Sequence, residues 1–159
     1  MARGSLVSLG EFGTQVFPSA IPTVTAGAYT AKDAVGGRLE FTGAVRAEIR
    51  TGTVLKVVVV DKAAQNATLV LFLFNQAFTA TADNAAFDPS DADLLNCIGT
   101  ITISASDYVA ANDNSVATKE CTLDFSLTGT SLYGQLMCTG TPTYASTSDL
   151  KITLGILQD

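Results

Sequence analysis

The residues best equipped to bind an ion fall in one segment, Asp83-Asn-Ala-Ala-Phe-Asp-Pro-Ser-Asp-Ala-Asp93, where Asp88, Asp91 and Asp93 are the calcium candidates. A calcium loop gathers several oxygen ligands, with a glycine at its turn and a distant glutamate to close the shell. This segment has neither, and helix capping accounts for Asp88 and Asp91, so a solvated loop without an obligatory metal is expected. Glu40, Glu48, Glu120 and Asp124 offer carboxylates for glycoside chemistry, which needs a pair about 5 to 9 Å apart in a cleft. Tryptophan is absent, so any platform for stacking a sugar reduces to Tyr108, Tyr133 and Tyr144. Histidine is absent too, which removes the commonest general base and the Ser/His and Cys/His pairings. A Ser–Lys pair needs a buried lysine, whereas Lys32, Lys56, Lys62, Lys119 and Lys151 fall mostly on loops or polar strand faces. Gly36-Gly37 runs into Arg38-Leu-Glu-Phe41, without the spacing or the helix of a phosphate cradle. A positive φ or a close backbone approach explains the pair. Cys97, Cys121 and Cys138 stand 24 and 17 positions apart, odd in number and without C-x-x-C. Each lies in or beside an apolar run, so buried, reduced thiols are expected. The chain is read as having no catalytic site and no cofactor, and not as an enzyme.

Composition narrows the partners. Over 159 residues, fifteen Asp and Glu outweigh nine Lys and Arg, a formal charge of −6. Nucleic-acid binding depends on basic residues neutralising phosphates, so no such partner is expected. The most apolar runs, Val57–Val60 and Leu69–Phe74, are far shorter than the roughly 20 residues that cross a bilayer. Met1–Gly13 lacks the continuous apolar stretch of a signal peptide. Synthesis in a cytoplasm and no membrane partner follow as expectations. Charged residues are only 15% against 47% apolar, below the roughly 25% charge usual for soluble domains. Part of so weakly charged a surface is expected to be covered by a partner.

Strands must position these groups. Cys121, Leu123, Phe125 and Leu127 alternate with Glu120, Thr122, Asp124 and Ser126, the period-two pattern of a half-buried strand. Leu150, Ile152, Leu154 and Ile156 repeat it, as do Ile101 and Ile103, and Leu132, Gly134, Leu136 and Cys138. Leu123, Phe125, Ile101, Ile103, Ile152 and Leu154 are therefore expected in the core. The short segment Leu127–Leu132 contains Gly129 and predicts a hairpin. Helix is confined to Pro89–Asn96, with Asp88 as N-cap, and to a single turn near Ser106-Asp107-Tyr108. Eight to ten extended segments of this kind predict an all-β fold, a β-sandwich of jelly-roll type with one short helix. Residues 1–28 are interrupted by Pro18, Pro22 and glycines, and predict an extended N-terminal arm before a sandwich domain over 29–159. That arm either reaches a neighbour or folds back over its own domain. Thr53–Val60 and Leu69–Phe74 are apolar on both faces, and the outer face needs cover from the arm, a helix or a neighbouring subunit.

Five segments come in a distinctive order: Tyr29–Phe41, Ala44-Val-Arg46, Val57–Ala63, Leu69–Asn75 and Asp83–Leu94. Together they resemble the small structural proteins encoded near the major capsid gene of tailed bacteriophages, among them head decoration, or cement, proteins. The resemblance covers roughly residues 29–157. It implies a sandwich or jelly roll bound to the major capsid protein on the virion surface, as a homo-oligomer and often a trimer. It implies no catalytic residues. The contacts expected for oligomer and capsid are Val16, Phe17, Val58, Val60, Leu69, Phe72 and Phe74. Two further readings stay open: a tail or head-fibre component, and a carbohydrate-binding β-sandwich for host attachment.

Overall fold

Strands form wherever apolar residues alternate along residues 13–159, the part of the chain described by the structure, a computed structural model. β1 (Thr14–Val16) and β2 (Ser19–Ala20) flank Pro18. Then come β3 (Ala34–Phe41), β4 (Thr51–Asp61), β5 (Leu69–Phe74), β6 (Cys97–Ile103), β7 (Tyr108–Ala111), β8 (Asn114–Ser126), β9 (Leu132–Cys138) and β10 (Leu150–Gln158). They build two antiparallel sheets, β1-β10-β4-β8-β7 with β2 also on β10, and β3-β9-β5-β6. Proline cannot donate to a ladder, so β1 and β2 count as one strand broken at Pro18, and β7 is an added edge. One sheet then holds the first, eighth, third and sixth strands, and the other the second, seventh, fourth and fifth. That is the jelly-roll order.

The facing sides of the sheets share one apolar core. Leu150, Ile152, Leu154 and Ile156 are fully buried on β10, and Leu69, Leu71, Leu132 and Leu136 are buried in the opposite sheet. Phe125, Ile101, Ile103, Ile152 and Leu154 are buried as expected, and Leu123 packs half-buried against them. Each large apolar side chain removed from water contributes roughly 1.5–3 kcal/mol. A one-residue slip would turn a whole row outward, which is why alternation specifies register.

Four expectations are corrected. Leu127–Leu132 is not a hairpin, because β8 and β9 lie in different sheets. It is a corner, held where Leu127 N donates to Arg50 O, the Arg50 guanidinium donates to Thr128 O, and Ala44 N donates to Thr130 O. A short glycine-containing link suits a corner as well as a hairpin, and strand pairing decides between them. The helix α1 is only Asp91–Leu94, and its N-cap is Ser90 rather than Asp88. The Ser90 hydroxyl accepts from Asp93 N at 3.1 Å and donates to the Asp93 carboxylate at 2.8 Å, which secures the start of the helix there. The single turn farther on is a 3-10 turn at Ala105–Asp107.

Residues 13–28 form no separate arm: β1 and β2 pair with β10, Val24 is in the core, and Val16 and Ala20 pack against it. Residues 1–12 of the expected arm lie outside the described residues. The two-sided runs also resolve differently. In β4, Val54, Val57 and Val59 face the core, while Val58 and Val60 are half-buried on the outer side. The outer side of β5 is covered by the chain's own segment 75–90, so no neighbour is needed there.

Candidate functional site

The two sheets meet the surroundings differently, and the difference locates the site. On the outer face of β3-β9-β5-β6, Phe78 stacks on Phe74 at 3.9 Å between ring centroids and Phe87 lies 4.5 Å from Phe72. Gln135, fully buried under this cover, donates to Gly36 O at 3.0 Å and Thr81 O at 2.6 Å, and accepts from Thr81 N at 3.1 Å. Asp83 pins the segment by accepting from the Thr25 hydroxyl, the Tyr29 hydroxyl and Gly36 N at 2.6–2.7 Å. Gly36 has φ +73°, and a Cβ there would stand 2.5 Å from Pro22 Cβ. Both reasons for a glycine, positive φ and close approach, hold at this position.

The outer face of β1-β10-β4-β8-β7 has no such cover among the described residues. Cross-strand pairing aligns Lys151, Val60, Val116 and Val109 in one row. Val58 lies in the next outward row, between Thr153 and Thr118. Val109 is 72% exposed and Val116 36%. Farther along, Lys56 runs between Gly155 and Glu120. A Cβ on Gly155 would meet the Lys56 stem at 2.8 Å, so glycine lets that stem lie flat on the sheet. The Lys56 ammonium ends 5.6 Å from the ring of Phe17, which is itself 55% exposed. A shallow groove of about 160 Å³ lies here, lined by Gln15, Phe17, Leu55, Lys56, Glu120 and Gly155. Valine and phenyl surface beside Lys56, Lys151 and Glu120 is suited to docking a partner.

Of the seven expected contact residues, the structure brings three to this open face: Phe17, Val58 and Val60. The other four are corrected. Val16 is paired with buried Ile156 and packs against the core, and Leu69 is fully buried in it. Phe74 and Phe72 are occupied by Phe78 and Phe87. Val109 and Val116 escaped the sequence reading. The available signal was the pattern Ser115-Val116-Ala117, in which small inward residues flank an outward valine; Ser115 and Ala117 are both fully buried.

The remaining candidates are dispersed. Asp88 N donates to the Thr81 hydroxyl, Asp93 is tied to Ser90, and Asp91 is exposed in the first turn of α1. Among the described residues, no three Cys, Asp or Glu side chains converge to hold a metal ion. Glu40 is on β3 while Glu120 and Asp124 are on β8 of the other sheet, and Asp124 accepts from the Thr53 hydroxyl at 2.7 Å. None of the three tyrosines is an open stacking platform. Tyr144 is buried edge-on to Tyr29 at 5.6 Å, the Tyr108 hydroxyl is buried, and Tyr133 lies under Arg38 at 5.5 Å. Lys119 turns to Asp107 at 3.2 Å. The Ser104 backbone N–H, followed by Lys119, holds the Asp107 carboxyl below the usual range. All three cysteines are free, and burial pushes the Cys121 and Cys138 thiols up. Two wider clefts are polar: one of about 550 Å³ beside Thr51, Thr53, Asp124 and Asp159, and one of about 360 Å³ beside Gln65, Thr68, Thr139 and Thr141.

No protein-family model matches the chain, and no curated protein matches it either. Among solved structures it is similar to a Bacillus thuringiensis Cry1Da tryptic core variant, at 13% identity and a TM-score of 0.36. The likeness covers 92% of this chain but only 23% of the other. A likeness that faint carries no argument about function.

Proposed function

We propose that this protein is a structural component of a bacteriophage virion that decorates and stabilises the capsid by binding across capsid subunits. The observation that carries the reading is the outer face of one sheet, uncovered among the described residues, where Val58, Val60, Val109 and Val116 lie together and Phe17 stands farther along against Lys56. Contiguous apolar surface on a domain with so little charge marks an interaction site. The order of segments resembling phage head proteins names the partner class: the major capsid protein, together with copies of the chain itself in a homo-oligomer, a trimer in the simplest arrangement. The protein acts from the virion surface after synthesis in the host cytoplasm. Its action is mechanical rather than enzymatic, and it needs no cofactor, nucleic acid or membrane. Packaged DNA pushes the shell outward, and a bound oligomer touching several capsid subunits adds contacts that must break before they separate. Several weak contacts engaged together reach high avidity through effective concentration. The carbohydrate-binding alternative is less well supported, since Tyr144 is buried against Tyr29 and Tyr133 lies under Arg38.

Co-sedimentation of the full chain with capsids lacking it tests this reading. Saturable binding that delays thermal rupture of the heads is expected, with Val58→Lys and Val116→Lys abolishing it while the variants stay folded. Undiminished binding of those variants, or no binding to capsids together with retention on a glycan column, would overturn it.

A further inference from the structure

One end of the jelly roll contains a cluster of buried polar side chains beside the apolar core. Asp61, at the end of β4, is 1% exposed, and its cross-strand neighbour Ser115 is fully buried. The Asp61 carboxylate accepts from Ala63 N and Asn66 N, both at 3.0 Å, which turns the chain after β4 back over it. Asp149, beside it, is engaged separately, accepting from Ala145 N and Ser146 N at 2.8 Å. Among the described residues, five buried side-chain oxygens have no hydrogen-bond partner within the protein. Four of them belong to residues around Asp61: Asn66 Oδ1, the hydroxyl of Ser115, that of Tyr108, which pairs with Ala117 two positions from Ser115, and that of Tyr144, next to Ala145, whose N donates to Asp149. Asn66 and Ser115 are tied to it through the contacts just given, and the two phenols sense its charge. Burial, and next the charge of Asp61, pushes both tyrosines above their ordinary range, and Tyr144 senses Tyr108 as well. Tyr144 is 2% exposed and Ser115 fully buried, and an unpaired polar group at such depth costs roughly 1–3 kcal/mol.

We infer that this cluster binds water, about two molecules, which bridge the hydroxyls of Tyr108, Ser115 and Tyr144 to the Asp61 carboxylate and Asn66 Oδ1. Proton bookkeeping selects water over a cation. Three of the four oxygens are hydroxyls, each with a hydrogen to place, and a carboxylate already accepting two bonds keeps about two lone pairs free. Two waters accept from the three hydroxyls and from one another, then donate to Asp61 and Asn66. A metal ion would occupy lone pairs and drive three O–H hydrogens into apolar surroundings. The bridged cluster joins the edge strand β7 to the turn after β4 and the loop before β10, which Lys62 N, donating to Asp149 O at 2.8 Å, already holds together. This inference is independent of the capsid reading.

The sign of a stability change tests it on the full-length protein. If the hydroxyls are bridged, Tyr108→Phe, Ser115→Ala and Tyr144→Phe each lower the Tm, by roughly 2–4 °C. The Tyr108→Phe/Tyr144→Phe double variant departs from additivity, because both hydroxyls share the same waters. If the hydroxyls are simply unpaired, deleting them leaves the Tm unchanged or raises it, and the inference is overturned. A crystal structure provides a check that survives a variant failing to fold. Water density within hydrogen-bond distance of Asp61 and both phenols supports the bridge, and a dry cluster overturns it. A Tm that climbs saturably with added Na⁺ or Ca²⁺ in the wild type, but not in Asp61→Asn, assigns a cation and also overturns it.

Discussion

The two sheets carry comparable apolar outer faces but treat them in opposite ways. On β5, Phe72 and Phe74 lie beneath Phe87 and Phe78 of the chain's own segment 75–90. On β4 and β8, Val58, Val60 and Val116 have no covering segment among the described residues. An apolar strand face is thus not itself evidence of a partner. The evidence is an apolar face that the described part of the chain leaves uncovered.

The largest effects should come from breaking the cover. Phe74→Ala empties a fully buried site beneath Phe78 and is expected to cost about 3–5 kcal/mol in urea unfolding. Gly36→Ala forces a side chain into positive φ against Pro22; calorimetry should register about 3 kcal/mol or more. Equal tolerance of these two changes and of open-face substitutions would erase the distinction between the sheets.

Intermediate effects should sharpen it. Asp83→Ala removes three acceptor contacts that pin segment 75–90. A loss of about 1–3 kcal/mol is expected, with hydrogen exchange accelerating first in that segment and little in β10. Burial raises the Asp61 carboxyl, with the backbone N–H groups of Asn66 and Ala63 opposing it. Its folded pKa lies above the unfolded one, so its contribution to stability rises as the pH falls through that folded value. Asp107 has the opposite sign, because its lowered carboxyl contributes above the unfolded carboxylate range and loses that contribution as the pH falls through its folded value. Melts taken from neutral pH into the carboxylate range should show Asp61→Asn steepening the acid loss and Asp107→Asn flattening it.

The smallest changes in stability belong to the open face. Val58→Thr and Val116→Thr are expected within about 0.5 kcal/mol of wild type, whereas the proposed function expects them to weaken association in light scattering. The thiols offer a comparably gentle probe. Cys138, fully buried with a raised pKa, should react with an aromatic disulfide reagent only at the rate of unfolding.

Period-two alternation over Cys121–Leu127 and Leu150–Ile156 determined by itself that the chain is an all-β sandwich and which residues line its core. Side chains leave a strand on alternate faces, so burial of one face is written locally. Sheet membership is not local. Leu127–Leu132 reads as a hairpin and is a corner, because pairing β8 with β4 and β9 with β5 depends on strands some 55 to 75 positions away. The candidate site was legible only where the outward residue was itself conspicuous, as at Phe17, Val58 and Val60. Phe72 and Phe74 looked just as available until segment 75–90 folded over them, and Val109 joined the site only when β7 aligned it with Val116. Composition and spacing determine which surfaces are apolar; only the tertiary path of the chain decides which of them it covers, because that cover comes from residues distant in sequence.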